Sequence, residues 1–473
     1  MQRPATVSAA PRPWFRAFES LAREHGDEPM RIEGRLPEGL SGTLVRNGPS
    51  LFENHGERYG HWFDGDGAVS AVRFGGGEAS SLVRVVQSAE LQEERKAGKR
   101  IFGIYGTAPA GGPLARLRGR YKNVANTSVM AWQDRLFALY EAGLPTELDP
   151  ADLSTVGATD LGGVIPNHFS AHPHRVRARR ALYNFGMRYG RETLLDLFEL
   201  PDEGSARRIG SVPLPGPTMV HDFIATDTHL VFLVSPLRLK IFRTLLGIGT
   251  VVGNLAWAPG EGTEVLVVPL DAPDAPVRFT AEPFFQWHFS NAFEREGRLV
   301  VDLVAYRDFA HGNWFDGIVH GELALPASGT FRRAVLDPAA KTLRMDEVWD
   351  RPCEFPRIAP AASGRPYRYA YVAAAAKAAD GQELFQRVAK LDVERGEAVE
   401  ADVQGYPSEP VFVPRPGGTA EDDGWVLSLV YEPGSHASHV AVLDASTLGI
   451  LARVHFGHAV PFTFHGGFIP QQR

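Results

Sequence analysis

The chain has 473 residues, of which 22% are charged and 44% hydrophobic, and this balance supports a large folded core and excludes an intrinsically disordered chain. Its net charge of −7 and its pI near 6.2 give no basic surface for a nucleic acid, so no nucleic-acid partner is expected. Because Cys353 is the single cysteine, an intrachain disulfide and a cysteine-rich metal cluster are both excluded.

The N-terminal residues and the hydropathy pattern bear on localisation. The residues after Met1 lack the continuous apolar segment of a signal peptide. No run of about 18 or more apolar residues, the length of a membrane-spanning helix, occurs in the chain. One cysteine is compatible with a reducing compartment. The sequence therefore predicts a cytoplasmic protein without a membrane-spanning helix.

Short runs of β-branched and aromatic residues recur along the whole chain, whereas long helical periodicities are scarce. Pro, Gly, Asp or Asn interrupts most of the runs, as turns between strands require. This pattern predicts an all-β fold with many turns. In chain order, the predicted strands are Ser81–Gln87, His229–Ser235, Thr263–Leu270, Arg298–Tyr306, Arg368–Ala374, Pro410–Pro414, Trp425–Tyr431 and His439–Leu443.

A leucine followed by an aspartate ends several of these strands, at intervals of roughly 50 to 70 residues, which suits a four-stranded propeller blade. The aspartate can cap the backbone of a hairpin turn. We therefore predict a propeller of about seven blades in a single domain, residues 1–473, with residues 1–34 as an N-terminal extension. The alternative is that Leu-Asp is merely common at β-turns. The copies end at Asp149, Asp271, Asp337, Asp392 and Asp444, with a looser copy at Asp202.

Four of the sixteen histidines lie among aromatic or small apolar residues. A neutral imidazole in such surroundings needs partners for its ring nitrogens, and a metal ion can be one of them. A propeller could bring these distant residues together at its axis. Ordinary hydrogen-bonded core histidines are the alternative, because no HExxH or paired CxxC motif supports a metal independently. The four are His172 in FSAHP, His221 in PTMVHDF, His288 in FQWHFSN and His465 in FTFHGG.

The segment 235–257 mixes apolar side chains with the cations Arg238, Lys240 and Arg243. Such a mixture favours a peripheral membrane contact, in which cations meet the headgroups and apolar side chains enter the acyl boundary. The alternative is an ordinary buried helix in a cap above the propeller.

Six further motifs accompany the histidine segments: Arg46–Pro49, His61–Gly67, Lys122–Thr127, Leu136–Gly143, Cys353–Arg357 and Glu409–Gly417. Together, and in this order, they resemble the carotenoid cleavage oxygenase family from about residue 35 to the C-terminus. The runs at 96–99, 108–112 and 421–425 are similar to its bacterial apocarotenoid oxygenases. The resemblance implies an all-β, seven-bladed β-propeller with a cap of loops and short helices over an iron site on the axis.

The resemblance also implies the residues of that site. In the family, four histidines bind Fe(II) without a carboxylate ligand, and glutamates accept the outer N–H of three of them, which orients the rings. A threonine methyl group crowds one open iron position. The matching iron ligands are His172, His221, His288 and His465; the matching glutamates are Glu141, Glu354 and Glu409; and the matching threonine is Thr127. His172 is expected to be the ligand without a glutamate, and its neighbour His174 is not expected to bind iron.

The implied activity is that of a non-haem iron dioxygenase, which uses O2 to cleave one C=C bond of a carotenoid or apocarotenoid into aldehydes such as retinal. The implied partners are a lipophilic polyene and, through residues 235–257, a membrane surface. The alternative on the same fold is cleavage of a lignostilbene or hydroxystilbene, whose phenol oxygen Lys122 with Tyr121 or Tyr105 could hold. A propeller that serves only as a binding scaffold is the third interpretation.

Aromatic and apolar residues beside the metal motifs are the candidates for a nonpolar substrate tunnel. Aromatic faces can stabilise cationic character on a conjugated chain, although aromatics beside a buried strand often serve core packing alone. The candidates are Phe63, Tyr140, Met219, Trp287, Phe289 and Phe355.

Overall fold

Antiparallel β-sheets, arranged as the blades of a propeller, make up most of the molecule. The structure is a computed structural model, and it describes residues 12–111, 121–310, 315–322, 329–376 and 383–471. These residues form seven sheets of four or more strands and two small two-stranded ribbons. The predicted all-β, seven-bladed propeller is therefore confirmed. The single domain 1–473 remains a prediction.

The strands of the first four blades are given from the axis outwards. Blade 1 consists of Gly466–Pro470, Gly42–Leu51, Asp66–Gly75, Glu78–Val85 and His25–Pro29; blade 2 of Ser128–Trp132, Arg135–Leu139, Thr146–Leu148 and Thr155–Ala158; blade 3 of His174–Val176, Ala181–Arg188, Thr193–Pro201 and Arg207–Leu214; and blade 4 of Ile224–Ala225, His229–Val234, Thr263–Pro269 and Val277–Ala281.

The remaining blades follow the same order. Blade 5 consists of Phe285–Arg295, Arg298–Tyr306, Thr330–Asp337 and Thr342–Trp349; blade 6 of Cys353–Ile358, Tyr369–Ala374, Arg387–Asp392 and Glu397–Asp402; and blade 7 of Tyr406–Pro407 with Val411–Pro414, Gly424–Glu432, Ala437–Asp444, Ile450–His455 and Arg31–Gly34. The ribbons are Glu53–Asn54 with Glu57–Arg58, and Leu237–Leu239 with Leu255–Trp257. The α-helices are Ala89–Ala97, Ile241–Leu245 and Phe315–Ile318, and the 3-10 helices are Phe15–Phe18, Trp62–Asp64, Arg177–Arg179, Val252–Asn254, Pro259–Glu261 and Pro360–Ala362.

Hydrophobic clusters fill the spaces between neighbouring blades. One cluster joins Phe285 and Val304 of blade 5 to Val372 and Leu391 of blade 6, and similar clusters lie between the other neighbouring pairs. Each blade is therefore covered on both faces. This explains why strands such as His229–Val234 are apolar along most of their length and do not alternate with polar residues.

The six Leu-Asp copies all lie at the turn between the third and fourth strands from the axis, in blades 2 to 7. Asp149, Asp392 and Asp444 accept backbone N–H groups of the turns that follow them. A carboxylate that accepts turn amides stabilises a hairpin connection. The repeat therefore marks the propeller blades, as predicted.

The two ends of the described chain close the ring. The C-terminal strand Gly466–Pro470 is the inner strand of blade 1, where Val45 is paired with Gly467. The N-terminal strand Arg31–Gly34 pairs with the outer strand of blade 7, where Ile32 is paired with Val454. The segment predicted as an N-terminal extension thus contributes strands to blades 1 and 7.

The cap consists of loops, short helices and the ribbon of Leu237–Leu239 with Leu255–Trp257, which is inserted between two strands of blade 4. Val252 N donates to Tyr105 O at 3.0 Å, and the Tyr121 hydroxyl donates to Thr244 O at 2.7 Å, so this insertion is tied to the loop before blade 2. Among the described helices, none combines the length and the apolar character that crossing a bilayer requires.

Candidate metal centre

Inner strands of four blades each bring one histidine to the propeller axis. His172, His221 and His465 lie just before the inner strands of blades 3, 4 and 1, and His288 lies within that of blade 5. One ring nitrogen from each lies within 4.8 Å of the other three. Nε2 of His221 is 3.0 Å from Nε2 of His172 and 3.4 Å from Nε2 of His288. The structure thus brings together the four histidines that the sequence selected.

The neighbouring His174 is directed elsewhere. Its Nε2 lies 2.9 Å from Oδ1 of Asp222, whose other oxygen accepts the backbone N–H of Phe289 at 3.1 Å. His174 and Asp222 therefore link the inner strands of blades 3, 4 and 5, and His174 is not part of the axial group.

A glutamate lies behind each of three axial histidines. A carboxylate can only accept, so each of these histidines carries its proton on Nδ1 and turns the lone pair of Nε2 towards the centre. Among the described residues, no carboxylate forms an ion pair with His172, which agrees with the prediction that it has no glutamate partner. The pairs are His221 with Glu141 at 2.6 Å, His288 with Glu354 at 2.6 Å and His465 with Glu409 at 2.9 Å.

Burial keeps two of the imidazoles neutral. It lowers the pKa of His172 well below its ordinary value, and the surrounding imidazoles lower that pKa further. Burial also lowers the pKa of His465 to about 4, against the opposing effect of Glu409. For His288, burial acts to lower the pKa, but the charge and hydrogen bond of Glu354 outweigh it and the pKa is raised. Neutral imidazoles with free lone pairs are what a metal ion requires.

Two residues that the sequence reasoning did not assign hold the glutamates in place. The guanidinium of Arg46, which is 2% exposed, donates to Glu409 at 2.5 Å and to the carbonyl of Phe464 at 2.6 Å. The hydroxyl of Tyr306 donates to Glu354 at 2.7 Å. A charged residue inside the apolar strand Gly42–Leu51 was the available signal for Arg46, because a buried cation requires a buried anion.

The charges around Glu409 decide its ionisation. Burial acts to raise its pKa, but the positive charges of Arg357, His465 and Arg46 outweigh it and hold the pKa of Glu409 far below its ordinary value. Glu409 is therefore a carboxylate at any physiological pH, and it can accept from both His465 and Arg46.

Thr127 lies beside the axial group, and its surroundings fix its orientation. Its hydroxyl donates to Oδ1 of Asn126 at 3.1 Å, while its backbone carbonyl accepts the N–H of His465 at 3.1 Å. Ala125, just before this pair, has a φ of 46°. A Cβ on Gly67 would lie 2.2 Å from Ala125 O, so only glycine allows this close approach.

A cavity with a mainly aromatic wall adjoins the axial histidines, and His221, His288 and His465 form part of its lining together with Thr127. Four of the predicted substrate residues line it, namely Phe63, Tyr140, Trp287 and Phe355. Tyr105, named above for the stilbene alternative, also lines the cavity. The sequence reasoning missed several other wall residues, which are Trp62, Tyr306, Phe315, Phe385, Tyr406, Phe462 and Phe464.

Met219 and Phe289, the other two predicted substrate residues, are not among the described residues that line the cavity. Met219 packs against the cluster that contains Leu237, and Phe289 is buried between blades 4 and 5 with Ile224. The structure therefore gives both side chains a packing position, in place of the cavity position that we expected.

Lys122 does not line the cavity either. Its ammonium group is fully buried and donates to Asp66 and Glu94 at 2.8 Å each and to the hydroxyl of Tyr59 at 3.1 Å. These partners satisfy all three donors of the ammonium group. Tyr121 donates its hydroxyl to the cap, whereas Tyr105 is in the cavity wall.

An apolar patch on the cap is exposed to solvent. The exposed fractions are 79% for Phe242, 58% for Leu245, 46% for Leu246 and 43% for Ile248. The expectation of an ordinary buried helix is therefore wrong for this part of segment 235–257. Exposed apolar clusters of this kind mark sites of interaction.

Comparisons with known proteins agree with this architecture. The sequence model of the family described as retinal pigment epithelial membrane protein matches residues 18–470. An apocarotenoid-15,15'-oxygenase of Synechocystis sp. is 35% identical over 98% of this chain and 98% of its own length. A resveratrol cleavage oxygenase of Aspergillus fumigatus is 29% identical over 92% of this chain and 90% of its own. The solved structure of a cobalt-substituted Synechocystis ACO matches with a TM-score of 0.90 at 33% identity, covering 98% of this chain and 99% of that chain.

Proposed function

This chain belongs to the retinal pigment epithelial membrane protein family, and the relatives named above include an apocarotenoid oxygenase and a resveratrol cleavage oxygenase. From that premise we propose that it is an Fe(II)-dependent dioxygenase that cleaves one C=C bond of an apocarotenoid into two aldehydes, one of them retinal or a similar product. The observation that carries the proposal is the group of four imidazoles, three of which line an aromatic cavity.

The donor set fits Fe(II). His172, His221, His288 and His465 would hold the ion through neutral nitrogens, and four such ligands leave it with its full 2+ charge and with open positions. When bound, Fe(II) supplies the binding and activation of O2. Glu141, Glu354 and Glu409 would fix the orientation of three rings and make their ligand nitrogens more basic.

Thr127 is proposed to restrict access to the centre. Because its hydroxyl is committed to Asn126, its methyl group is the part that remains for the cavity. A methyl group there would narrow the space next to the ion and would separate the place for O2 from the place for the alkene.

The aromatic wall is proposed to hold the polyene in one position. Phe63, Trp287 and Phe355 offer flat apolar faces that exclude water and match a conjugated chain. Since a polyene has many similar double bonds, position alone selects the one that reacts. In that reaction one C=C bond is replaced by two C=O bonds, and the two atoms of one O2 molecule end one in each aldehyde.

The exposed cap patch is proposed to draw the substrate from a membrane. Phe242, Leu245 and Leu246 present apolar surface next to Arg243, as an interfacial contact requires. A long polyene that moves directly from the bilayer into the cavity avoids exposing hundreds of Å² of apolar surface to water, at about 25 cal/mol per Å².

A hydroxystilbene is the second candidate substrate, and one observation favours it. The buried hydroxyl of Tyr105 lines the cavity and has no hydrogen-bond partner among the described residues, so it could bind a phenol. Lys122, the other residue expected to hold a phenol oxygen, is committed to Asp66 and Glu94 outside the cavity. The balance therefore favours the apocarotenoid.

The test is product analysis by mass spectrometry, after anaerobic loading with Fe(II) and incubation under ¹⁸O2 with a panel of apocarotenals, carotenes and 4-hydroxystilbenes. We expect apocarotenal cleavage, with one labelled oxygen in each aldehyde at early times. Rapid cleavage of a hydroxystilbene without apocarotenal cleavage would assign the second candidate instead.

Ligand variants provide the metal control. His221→Ala, His288→Ala and His465→Ala should lose iron and activity, whereas His174→Gln, a histidine of the same region outside the axial group, should keep both. Full iron occupancy in all three alanine variants would refute the ligand assignment.

A further inference from the structure

A second group of metal-ligating side chains lies in blade 7, away from the axis. Glu432 ends the second strand from the axis, His439 lies in the third and His455 ends the fourth. One ligand atom from each lies within 4.8 Å of the others. His439 and His455 are paired in register, and their ring centroids are 5.5 Å apart.

Three of the four ring nitrogens in this group have no hydrogen-bond partner among the described residues. His439 is completely buried, and neither of its ring nitrogens has a hydrogen-bond partner among the described residues. The buried Nε2 of His455 also lacks one. Buried polar groups in folded proteins are nearly always paired, so three unpaired imidazole nitrogens in one place need an explanation.

The contact between His439 and Glu432 indicates what the explanation is. Oε1 of Glu432 lies 2.6 Å from Nδ1 of His439, yet the two groups are not oriented as a hydrogen bond. A divalent ion would take one lone pair from each group, and the two atoms would then move apart to the wider spacing of zinc ligands.

We propose that Glu432, His439 and His455 bind a divalent transition-metal ion, with Zn²⁺ as the best match. Two imidazoles and a carboxylate are zinc ligands, whereas Ca²⁺ and Mg²⁺ select sites built from oxygen. The proposal is independent of the axial iron and of the reaction there.

Glu33 lies beside His455 and can supply a fourth ligand. Its Oε2 lies 3.4 Å from Nε2 of His455, while its Oε1 accepts from Arg453 at 3.0 Å. Arg453 neutralises one of the two carboxylates, so the group carries a net charge of about −1 when its histidines are neutral. A bound divalent cation would change this net charge to about +1.

The position of Glu33 gives the ion a structural role. Glu33 belongs to the N-terminal strand Arg31–Gly34 that closes blade 7, and it lies 420 residues before Arg453 in the chain. An ion bound to Glu33, His439 and His455 joins the first part of the chain to the last blade. It therefore stabilises the closed ring, because the ion binds the folded state only.

Zinc titration of the iron-loaded protein tests the proposed zinc site. After incubation with ZnSO4 and desalting, elemental analysis should find one zinc per chain in addition to the iron, and zinc should raise the thermal unfolding midpoint. Glu432→Gln and His455→Gln should retain close to no zinc, should show no thermal shift and should keep their iron. His436→Gln is the matched control, because His436 lies in the same hairpin but pairs with Tyr431, and it should behave as the wild type.

The wild-type measurement decides the question even if a variant folds poorly. A wild-type protein that retains no zinc beside its iron and shows no thermal shift overturns the proposal. Equal zinc retention in the wild type and in folded Glu432→Gln and His455→Gln overturns it too, since zinc would then be bound elsewhere.

Discussion

At the scale of single residues, the three glutamates behind the axial histidines differ in what else they hold. The side chain of Glu141 is 24% exposed, whereas those of Glu354 and Glu409 are 7% and 2% exposed. Glu354 also accepts from Tyr306, and Glu409 also pairs with the buried guanidinium of Arg46. Their replacement should therefore have graded effects on stability, although each orients one imidazole.

We predict that Glu141→Gln, Glu354→Gln and Glu409→Gln each weaken iron binding or turnover by roughly 10- to 100-fold. Glu409→Gln should also destabilise the fold most, by about 3–5 kcal/mol, because it leaves Arg46 buried without an anion. Iron content, turnover and urea unfolding measure these effects. Unchanged iron and turnover in all three variants would show that the carboxylates do not support the ligands, and equal stability losses would contradict the ranking.

The buried carboxyl group of Asp64 makes the stability of the folded state depend on pH. Burial raises its pKa to about 7, although its oxygens accept from Gly106 N at 2.8 Å and from the Thr107 hydroxyl at 2.6 Å. The folded state therefore holds a proton that the unfolded state releases near pH 4, and stability must fall as the pH rises from about 4 to about 7.

We predict that the wild type loses on the order of 2 kcal/mol more stability than Asp64→Asn between pH 5 and pH 8, because asparagine is neutral throughout. Urea unfolding of both proteins at the two pH values measures the difference, in which the other titrating groups cancel. An identical pH dependence of the two proteins would mean that Asp64 is ionised in the folded state at pH 5.

At the scale of strands and helices, strand positions could be predicted but side-chain directions could not. The sequence located His229–Val234 and Arg298–Tyr306 correctly because strands covered on both faces are mostly apolar. Within Phe285–Arg295, however, the pairing register shifts between Gln286 and Phe289. A bulge of this kind lets Trp287 and His288 both reach the cavity region, while Phe289 packs between the blades.

The same effect occurs at Cys353–Ile358, where the register shifts between Glu354 and Arg357 and Phe355 has a φ of 57°. Glu354 and Phe355 are adjacent, yet both line the cavity. A strict strand alternation would have put them on opposite faces. A bulge depends on long-range pairing, so the local sequence could not show which neighbours of a motif residue share its side.

We predict that the apolar cap patch binds membranes. Replacing Phe242, Leu245 and Leu246 with Ser should reduce liposome binding and slow the cleavage of liposome-borne substrate, whereas cleavage of detergent-dispersed substrate should change little. The physical reason is the loss of exposed apolar surface that would otherwise enter the bilayer interface. Sedimentation with liposomes and parallel activity assays measure the two effects.

A matched control for the patch exists elsewhere on the surface. Val156, Val399 and Leu451 are exposed apolar residues of blades 2, 6 and 7, and their joint replacement with Ser should leave liposome binding unchanged. Equal losses in the liposome and detergent assays would indicate a folding defect, and equal liposome binding by both triple variants would remove the membrane role of the patch.

At the scale of the whole molecule, the Leu-Asp repeat predicted the number of blades, but nothing in the local sequence predicted how the ring closes. Residues 25–29 and 31–34, assigned to an extension, pair in blades 1 and 7, and Arg31 is paired with His455. The blade 7 pairing joins segments more than 400 residues apart, so short-range patterns carry no information about it. The axial group depends on this closure, because His465 directly precedes the C-terminal strand.

Gly466 lies where the closing strand of the ring follows the axial histidine His465. A Cβ at Gly466 would lie 1.9 Å from the backbone oxygen of Val45, whereas a Cβ at Gly467 would meet nothing within 4 Å. Backbone cannot yield as a flexible side chain can, so an alanine at 466 must push the C-terminal strand away from Gly42–Leu51. The N–H of Gly466 also donates to Glu409 at 3.2 Å, so this displacement moves a glutamate partner together with His465.

We therefore predict that Gly466→Ala destabilises the protein by about 1–3 kcal/mol or more and loses most of its iron, because overpacking at the seam displaces one axial ligand. Gly467→Ala, one residue further along the same strand, should stay within about 0.5 kcal/mol of the wild type and keep its iron. Urea unfolding and iron content of the two variants measure the contrast. A Gly466→Ala protein with wild-type stability and iron would mean that the C-terminal strand can shift without moving His465, and that ring closure and the axial site are independent.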